Sequence, residues 1–480
     1  MNERIMLLYP PGKLFQRGED RCQTNIDEST AASVHACNDL GYCASVLRNE
    51  GYEIFLRDYQ TERKGLPDVM EDVSALRPDM IFLSTTNGTI YDDLDFINAV
   101  CGVRPCLFVV KGAIFFDADL SLLSALDLKN VSCCVGGEVE FIIDRIAAAL
   151  LRNEGELKTI PGIIYHTEEG LKKTAFDHFE KDLDALPFPA RDLMNNAVYM
   201  RPDTGEPMAT ISVARGCPST CTYCMTPIIS GRRLRTRSVE NVFAEIEDCY
   251  YKYGIKNFFF KADTFTFDEE YVCALCDRIT CSPLCGRIAF TANGRADRLT
   301  EKMLRKMKDA GCFMLAIGFE SGSDRSLKLM KKGNTVETNL RAANMIKKAG
   351  IPIFGFFMIG FPWESADDIA ATKKLIFQID PDFIELHIAM PYYGTGLYEL
   401  CKEKGLLAAG SFGGDPYNPT TAGTEKLTME CIRQIRNRIL LRFYLRPSYL
   451  FRRGMDAIKN PVIFKNYFRY GMRMLKNMEK

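Results

Sequence analysis

No stretch of the chain approaches the roughly 20 apolar residues that a membrane-spanning helix needs. An excess of one charge is missing too. Sixty-one Lys and Arg stand against 62 Asp and Glu, a formal net charge of -1. Such a balance gives no general pull toward nucleic acid or anionic membranes. The opening residues, MNERIMLLYPP, hold an apolar run too short for a signal peptide, with no small-residue cleavage site after it. These absences predict a cytoplasmic protein with neither a transmembrane segment nor a nucleic acid partner. Without a secretory signal, the 18 cysteines are not expected to form a disulfide framework. Most of them, such as Cys101, Cys249 and Cys312, sit singly in apolar runs and read as small buried hydrophobes. A cysteine-rich interior suits a reducing, oxygen-poor cell.

What the chain does have is alternation. Its 480 residues predict two or three domains, and its 47% apolar and 26% charged content is that of a globular protein. The runs RIMLLYP, EIFLRDY, DMIFLST, CLFVVKG and SCCVGGE read as strands. Helical segments such as DLGYCASVLRNEG, closed by Gly51, separate them. Strands alternating with helices predict a Rossmann-like, doubly wound parallel sheet over 1–152. Ligands of such sheets sit beyond the carboxyl ends of the strands. Those ends carry Asn87-Gly88, Lys111-Gly112 and Gly136-Gly137-Glu138. The small residues either admit a large flat ligand or simply make tight turns.

A connector over 153–208 holds a small hairpin around Glu168-Glu169-Gly170 and the Pro-interrupted LDALPFPARDLM. A second alternating unit, 209–408, supplies six strands: TISVA, KNFFFKA, RIAFTAN, FMLAIGF, IPIFGFFMIG and DFIELHIAM. Its helices include ones capped by Ser238 and Thr300. Six βα units predict a partial, TIM-like (β/α)6 barrel. The last stretch, 409–480, is expected to be helical, basic and rich in aromatics. From Arg433 onward it has thirteen Lys or Arg against two Asp or Glu. It reads either as a cap with a solvated basic face or as a contact for a membrane surface or anionic substrate.

Directly after the first barrel strand comes RGCPSTCTYCMTP, which places Cys217, Cys221 and Cys224 at the mouth where barrel active sites form. Thiolates this close usually share a metal. Zinc normally closes its shell with four ligands, and the nearest histidines, His178 and His387, lack finger-like spacing. The C-x3-C-x2-C spacing fits an iron–sulfur cluster better, with three irons held by thiolates and the fourth left free.

This stretch resembles the radical SAM enzymes, whose signature is C-x3-C-x2-C with an aromatic residue before the third cysteine, here Tyr223. The resemblance implies a [4Fe-4S] cluster on Cys217, Cys221 and Cys224. It implies S-adenosylmethionine (SAM) bound at the free iron, split by one electron into methionine and a 5′-deoxyadenosyl radical that takes hydrogen from a substrate carbon. A one-electron donor such as flavodoxin or ferredoxin would serve it. Other segments resemble the family's SAM-contact strands. FFFKADTFTFD ends in Asp263, FTANGRAD brings Asn293 and Arg295, GFESGS brings Glu320 and Ser321, and FFMIGFPWES brings Gly360.

The order of α/β domain, barrel and basic tail resembles the cobalamin-binding branch of that family. There Asn87, Gly88, Gly112, Gly137 and Glu138 would face the corrin, and typical reactions are methyl transfer and cyclisation. The chain departs from one corrin signature, since it has no D-x-H-x-x-G and His35 does not supply one. ADTFTFD and GFESGSDRSLKLMKKG also resemble cobalamin-free radical deoxygenases of aminoglycoside-type sugars, for which Asp263, Arg295 and His387 are acid–base candidates. An iron–sulfur electron-transfer protein without SAM chemistry is the reading from a different class. The substrate is expected to be a small molecule, lipid or sugar-like. A second group, Cys273, Cys276, Cys281 and Cys285, has spacing compatible with an auxiliary cluster or with two helical and two loop cysteines.

Overall fold

The structure is a computed structural model that describes residues 3–478 except 19–22, 31–33, 118, 177–178, 408–413 and 460. His178 and the expected boundary near 408 lie outside the described residues. The first sheet has seven strands: β1 (Arg4–Tyr9), β2 (Glu53–Asp58), β3 (Met80–Ser84), β4 (Leu107–Lys111), β5 (Cys133–Val135), β6 (Ile163–Thr167) and β7 (Gly170–Lys173). Their order is β2-β1-β3-β4-β5-β6-β7. The first five run parallel, and β6 and β7 add on antiparallel. Residues Ile5–Leu8 and Met80–Leu83 are fully buried, which is why these strands read as unbroken apolar runs. The hairpin foreseen around Glu168-Glu169-Gly170 is β6–β7. It extends the first sheet by pairing Ile163 with Val135.

The second sheet takes β8 (Met208–Arg215), β9 (Arg235–Thr236), β10 (Asn257–Ala262), β11 (Ala289–Arg295), β12 (Cys312–Glu320), β13 (Ile353–Ile359) and β14 (Phe383–Ile388). The order is β14-β13-β12-β11-β10-β8-β9. The six foreseen strands are parallel, and the two-residue β9 lies antiparallel on β8. The sheet curls until residues of β11, β12, β13 and β14 line one cavity with the loop after β8. Because β14 and β9 do not pair, the barrel stays open. The foreseen caps are in place. Ser238 Oγ accepts from Asn241 N, the Thr300 side chain accepts from Met303 N, and Gly51 follows the C-cap Glu50 of its helix in the left-handed region.

Three helices end the chain: Met429–Tyr444, Pro447–Lys459 and Pro461–Met478. The first packs on β14 through Ile439, Leu440 and Phe443, and its Arg436 Nε donates to Leu386 O at 2.6 Å. Among the described residues no helix is long and apolar enough to cross a membrane.

Candidate active site at the barrel mouth

Strand β8 ends at Arg215, and Gly216 turns the chain into the cysteine loop. Its φ of 86° is left-handed, and a Cβ there would lie 2.1 Å from Arg233 O, so no side chain fits. Backbone bonds then pin the loop on three sides: Cys217 N to Gly231 O, Thr222 N to Met330 O, and Leu397 N to Thr222 O. Asp263, at the end of β10, holds the loop's root. It accepts from Gly216 N at 2.6 Å and from Thr226 Oγ1 at 3.2 Å.

Cys217, Cys221 and Cys224 all line an open cavity of about 1160 Å³. Each sulfur has a polar neighbour: Thr264 Oγ1 at 3.6 Å from Cys217, Arg295 Nη1 at 3.6 Å from Cys221, and Thr226 Oγ1 at 3.3 Å from Cys224. Among the described residues no three His, Cys, Asp or Glu side chains are gathered closely enough to hold a single metal ion. Three thiols facing one cavity without convergence on a point is the donor set that a multi-iron cluster takes, since each thiolate binds a different iron.

Glu320 ends β12 in the left-handed region at φ 63°, a conformation that costs a residue with a side chain on the order of 1–3 kcal/mol. Its buried carboxylate takes a 2.7 Å salt bridge from Lys332 Nζ. Gly318 makes room for that pair, since a Cβ there would come within 2.3 Å of Glu320 Oε1. Tyr223 lines the same cavity, with its hydroxyl 3.4 Å from Lys332 Nζ. Burial, with the charge of Glu320 next in size, lifts its phenol well above the usual range. Arg295 is fixed by Asp297 at 2.9 and 3.0 Å and by Lys332 O. Asn293 Oδ1 and His387 Nε2 are buried in the cavity wall without a hydrogen-bond partner. Burial pushes the His387 imidazole below its ordinary pKa against the pull of Glu385, so the ring is neutral near pH 7. Phe356, Met358, Ile388, Met390, Tyr392 and Pro416 make the opposite wall apolar.

Two of the foreseen contacts lie elsewhere. Ser321 is fully buried and bonds Thr372 Oγ1 at 3.1 Å, tying β12 to a helix behind it. Gly360, at φ 88°, faces Ile388 and Ile432, and its N–H donates to Glu364 at 2.7 Å. Glu364 was not foreseen. It also accepts from Phe361 N and Ser326 Oγ, and burial lifts its carboxyl to about 7. Lys332 was missed as well, because a Lys pair before a glycine is too common to single out.

The residues foreseen at the first sheet's carboxyl edge do not line the cavity that holds the cysteines, although Ala113 and Phe116 beside them pack against Met225. A Cβ on Gly88 would meet Phe15 at 2.6 Å, one on Gly112 would meet Thr85 at 2.6 Å, and one on Gly137 would meet Phe176 at 3.1 Å. Asn87 is buried, its N–H bonded to Gln23 Oε1. Segment 12–18 lies over this edge, anchored by Arg17, whose guanidinium makes a fully buried two-point bond to Asp93 at 2.7 and 2.9 Å. Glu138 reaches the other domain and takes Arg235 at 2.9 Å through both oxygens and Arg215 at 3.2 Å. Glu140 also bonds Arg215. Burial pushes its carboxyl up, and Arg215 with Lys111 outweighs that and holds it down to about 2. A second, charged cavity of about 670 Å³ lies between the domains, and Asp263 lines both.

In the second cysteine group, Cys273 and Cys276 are buried on helix Glu269–Thr280, while Cys281 and Cys285 are exposed beyond it. The four thus divide into two core and two surface residues.

Residues 211–376 match the model of the Radical SAM superfamily. Over most of its length the chain is 29% identical to an uncharacterized methyltransferase of Pyrococcus horikoshii, covering 86% of this chain and 88% of that one. It is 25% identical to the cytidylyl-2-hydroxyethylphosphonate methyltransferase of Streptomyces wedmorensis, covering 84% and 83%. Among solved structures, the cobalamin-dependent radical enzyme OxsB with aqua-cobalamin and SAM superposes with a TM-score of 0.72 at 17% identity, over 99% of this chain and 72% of that one. The methyltransferase TsrM from Kitasatospora setae, with cobalamin and a [4Fe-4S] cluster, superposes at 0.66 and 18% identity, over 84% and 75%. The two-domain fold is therefore that of these enzymes.

Proposed function

We propose that the protein is a radical SAM enzyme that acts on a small molecule by methyl transfer or cyclisation. One observation carries this reading: three thiols face one cavity, and the polar groups of Glu320, Lys332, Asn293 and Arg295 line the same space. When bound, a [4Fe-4S] cluster supplies one electron to the sulfonium of SAM, breaking its C–S bond. The chain's own part is to hold and shield. Cys217, Cys221 and Cys224 would ligate, Arg295 Nη1 donates toward the Cys221 sulfur and softens its charge, and Thr226 and Thr264, whose hydroxyls donate to Asp263, stand beside the other two sulfurs. The Glu320–Lys332 pair and the unpartnered Asn293 Oδ1 are placed for the amino acid and ribose groups of SAM. The apolar wall from Phe356 to Pro416 excludes water from the radical and receives the substrate. Neutral His387 is the polar contact for a substrate hydroxyl or amide on that wall. A one-electron donor such as flavodoxin or ferredoxin completes the cycle.

Relatives named as methyltransferases, and others named as magnesium-protoporphyrin monomethyl ester cyclases, support methyl transfer or ring closure. Cobalamin is carried over from OxsB and TsrM as the second cofactor. The first sheet's edge as arranged does not fit it. Its glycines are packed against Phe15, Thr85 and Phe176. No step is therefore routed through a corrin. A cobalamin-free deoxygenase is the second reading, which the relatives support less than methyl transfer or ring closure. Anaerobic purification with cofactor extraction, followed by assay of 5′-deoxyadenosine after reduction, tests both. Corrin in the extract with SAM cleavage supports the first, and cleavage by corrin-free protein supports the second. Reduced, iron-loaded protein that forms no 5′-deoxyadenosine overturns both.

A further inference from the structure

The net charge of -1 hides an uneven distribution, since the thirteen basic against two acidic residues of 433–480 leave the rest of the chain acidic. The last two helices carry seven of those basic residues against one acid, together with several large apolar side chains exposed to solvent. On Pro461–Met478, Phe464, Phe468 and Met472 recur every fourth residue and form one stripe. They are 58%, 63% and 54% exposed. On the neighbouring helix Pro447–Lys459, Phe451 is 71% and Met455 44% exposed, again four residues apart. Lys465 and Arg469 each follow a stripe phenylalanine by one position and are exposed.

This outward face does not come from a loosely attached tail. The opposite side of the pair is fixed to the protein. Tyr449 is buried, Tyr467 stacks edge-on against Phe383 at 5.9 Å, and Asn466 Nδ2 donates to Asp203 O at 3.0 Å. Arg452 and Arg453 bond Asp380 and Asp382, which precede β14. The barrel mouth lies at the other, carboxyl end of that strand. Anchoring thus directs an apolar stripe flanked by cations to solvent, away from the cavity.

We propose that this face docks on an anionic lipid bilayer, with the two helices lying in the interface and none crossing it. An apolar stripe with Lys and Arg beside it matches both the acyl boundary and the headgroup charge of such a surface. A symmetric contact between two copies is disfavoured, because it would set the same cations against each other. The proposal does not depend on the radical reaction.

The test is co-sedimentation of the full chain with vesicles of phosphatidylcholine alone and of equal parts phosphatidylcholine and phosphatidylglycerol. Binding is expected to the mixed vesicles, weakly to the neutral ones, and to fall as salt is raised. The double variant Phe464→Ser/Phe468→Ser should weaken binding about tenfold or more. K465E should weaken it only on anionic vesicles. Unchanged circular dichroism and iron content would show that both variants fold. Absence of binding to mixed vesicles at low salt overturns the proposal. So does a concentration-dependent dimer, formed without lipid and lost in the double variant, because a second copy would then own the face.

Discussion

The two seven-stranded sheets present the same kind of edge to a ligand, and they treat it in opposite ways. At the barrel's carboxyl ends the chain leaves about 1160 Å³ open and strands the polar atoms of Asn293 and His387 without partners. At the first sheet's carboxyl ends it fills the crevice with its own Phe15, Phe115 and Phe176 and satisfies Arg17 with Asp93, leaving only a narrower gap in which Asn87 Oδ1 is buried without a partner. Fold alone does not make a site. A strand-end crevice becomes one when loops stand back from it and polar groups remain unspent, because a buried donor or acceptor without a partner costs free energy that a ligand can recover.

Breaking the open edge should have the largest effect. Cys221→Ala removes one of three thiolates, so iron should fall to background and 5′-deoxyadenosine formation should vanish in a ferrozine and chromatographic assay. On the closed edge, Phe15→Ala should cost about 3 kcal/mol in denaturant midpoint, the usual range for deleting a buried aromatic, while iron content and SAM cleavage persist. Loss of cleavage there would erase the contrast between the edges. Glu320→Ala should weaken SAM binding about tenfold by calorimetry, with iron retained, since it removes one charged hydrogen-bonding partner. Loss of iron would make Glu320 a structural group.

The smallest effect sharpens the comparison through pH. The Glu364 carboxyl is raised by burial to about 7 from an ordinary 4.5. The folded state therefore binds this proton more tightly than the unfolded one. Its contribution is full below about pH 4.5 and is lost as pH climbs through 7. Glu364→Gln keeps acceptors for Gly360 N and Phe361 N, so the variant's melting temperature should decline less between pH 5 and 8 than the parent's.

The fold was legible because parallel strands buried on both faces have to be apolar throughout, and β1, β3 and β10 say so directly. The cysteine loop was legible because a cluster needs its thiolates at fixed spacing on one turn. The left-handed backbone of Glu320 was not legible, since nothing in GFESGS marks it. The pairing of Glu320 with Lys332 depends on how β12 and a following helix meet, which local sequence does not encode. The packing of the first edge was hidden for a similar reason. Glycine looks the same in a string of letters whether a cofactor or a phenylalanine presses against it. The roles of Ser321 and Gly360 likewise turned on which way a strand end faces.

The ties from Glu138 and Glu140 to Arg215 and Arg235 reach the residue directly before Gly216, where the cysteine loop begins. A barrel excised at residue 209 would expose two bare guanidiniums at the root of its own catalytic loop. The amino-terminal half thus acts as the mould in which that loop is cast, whatever else it holds.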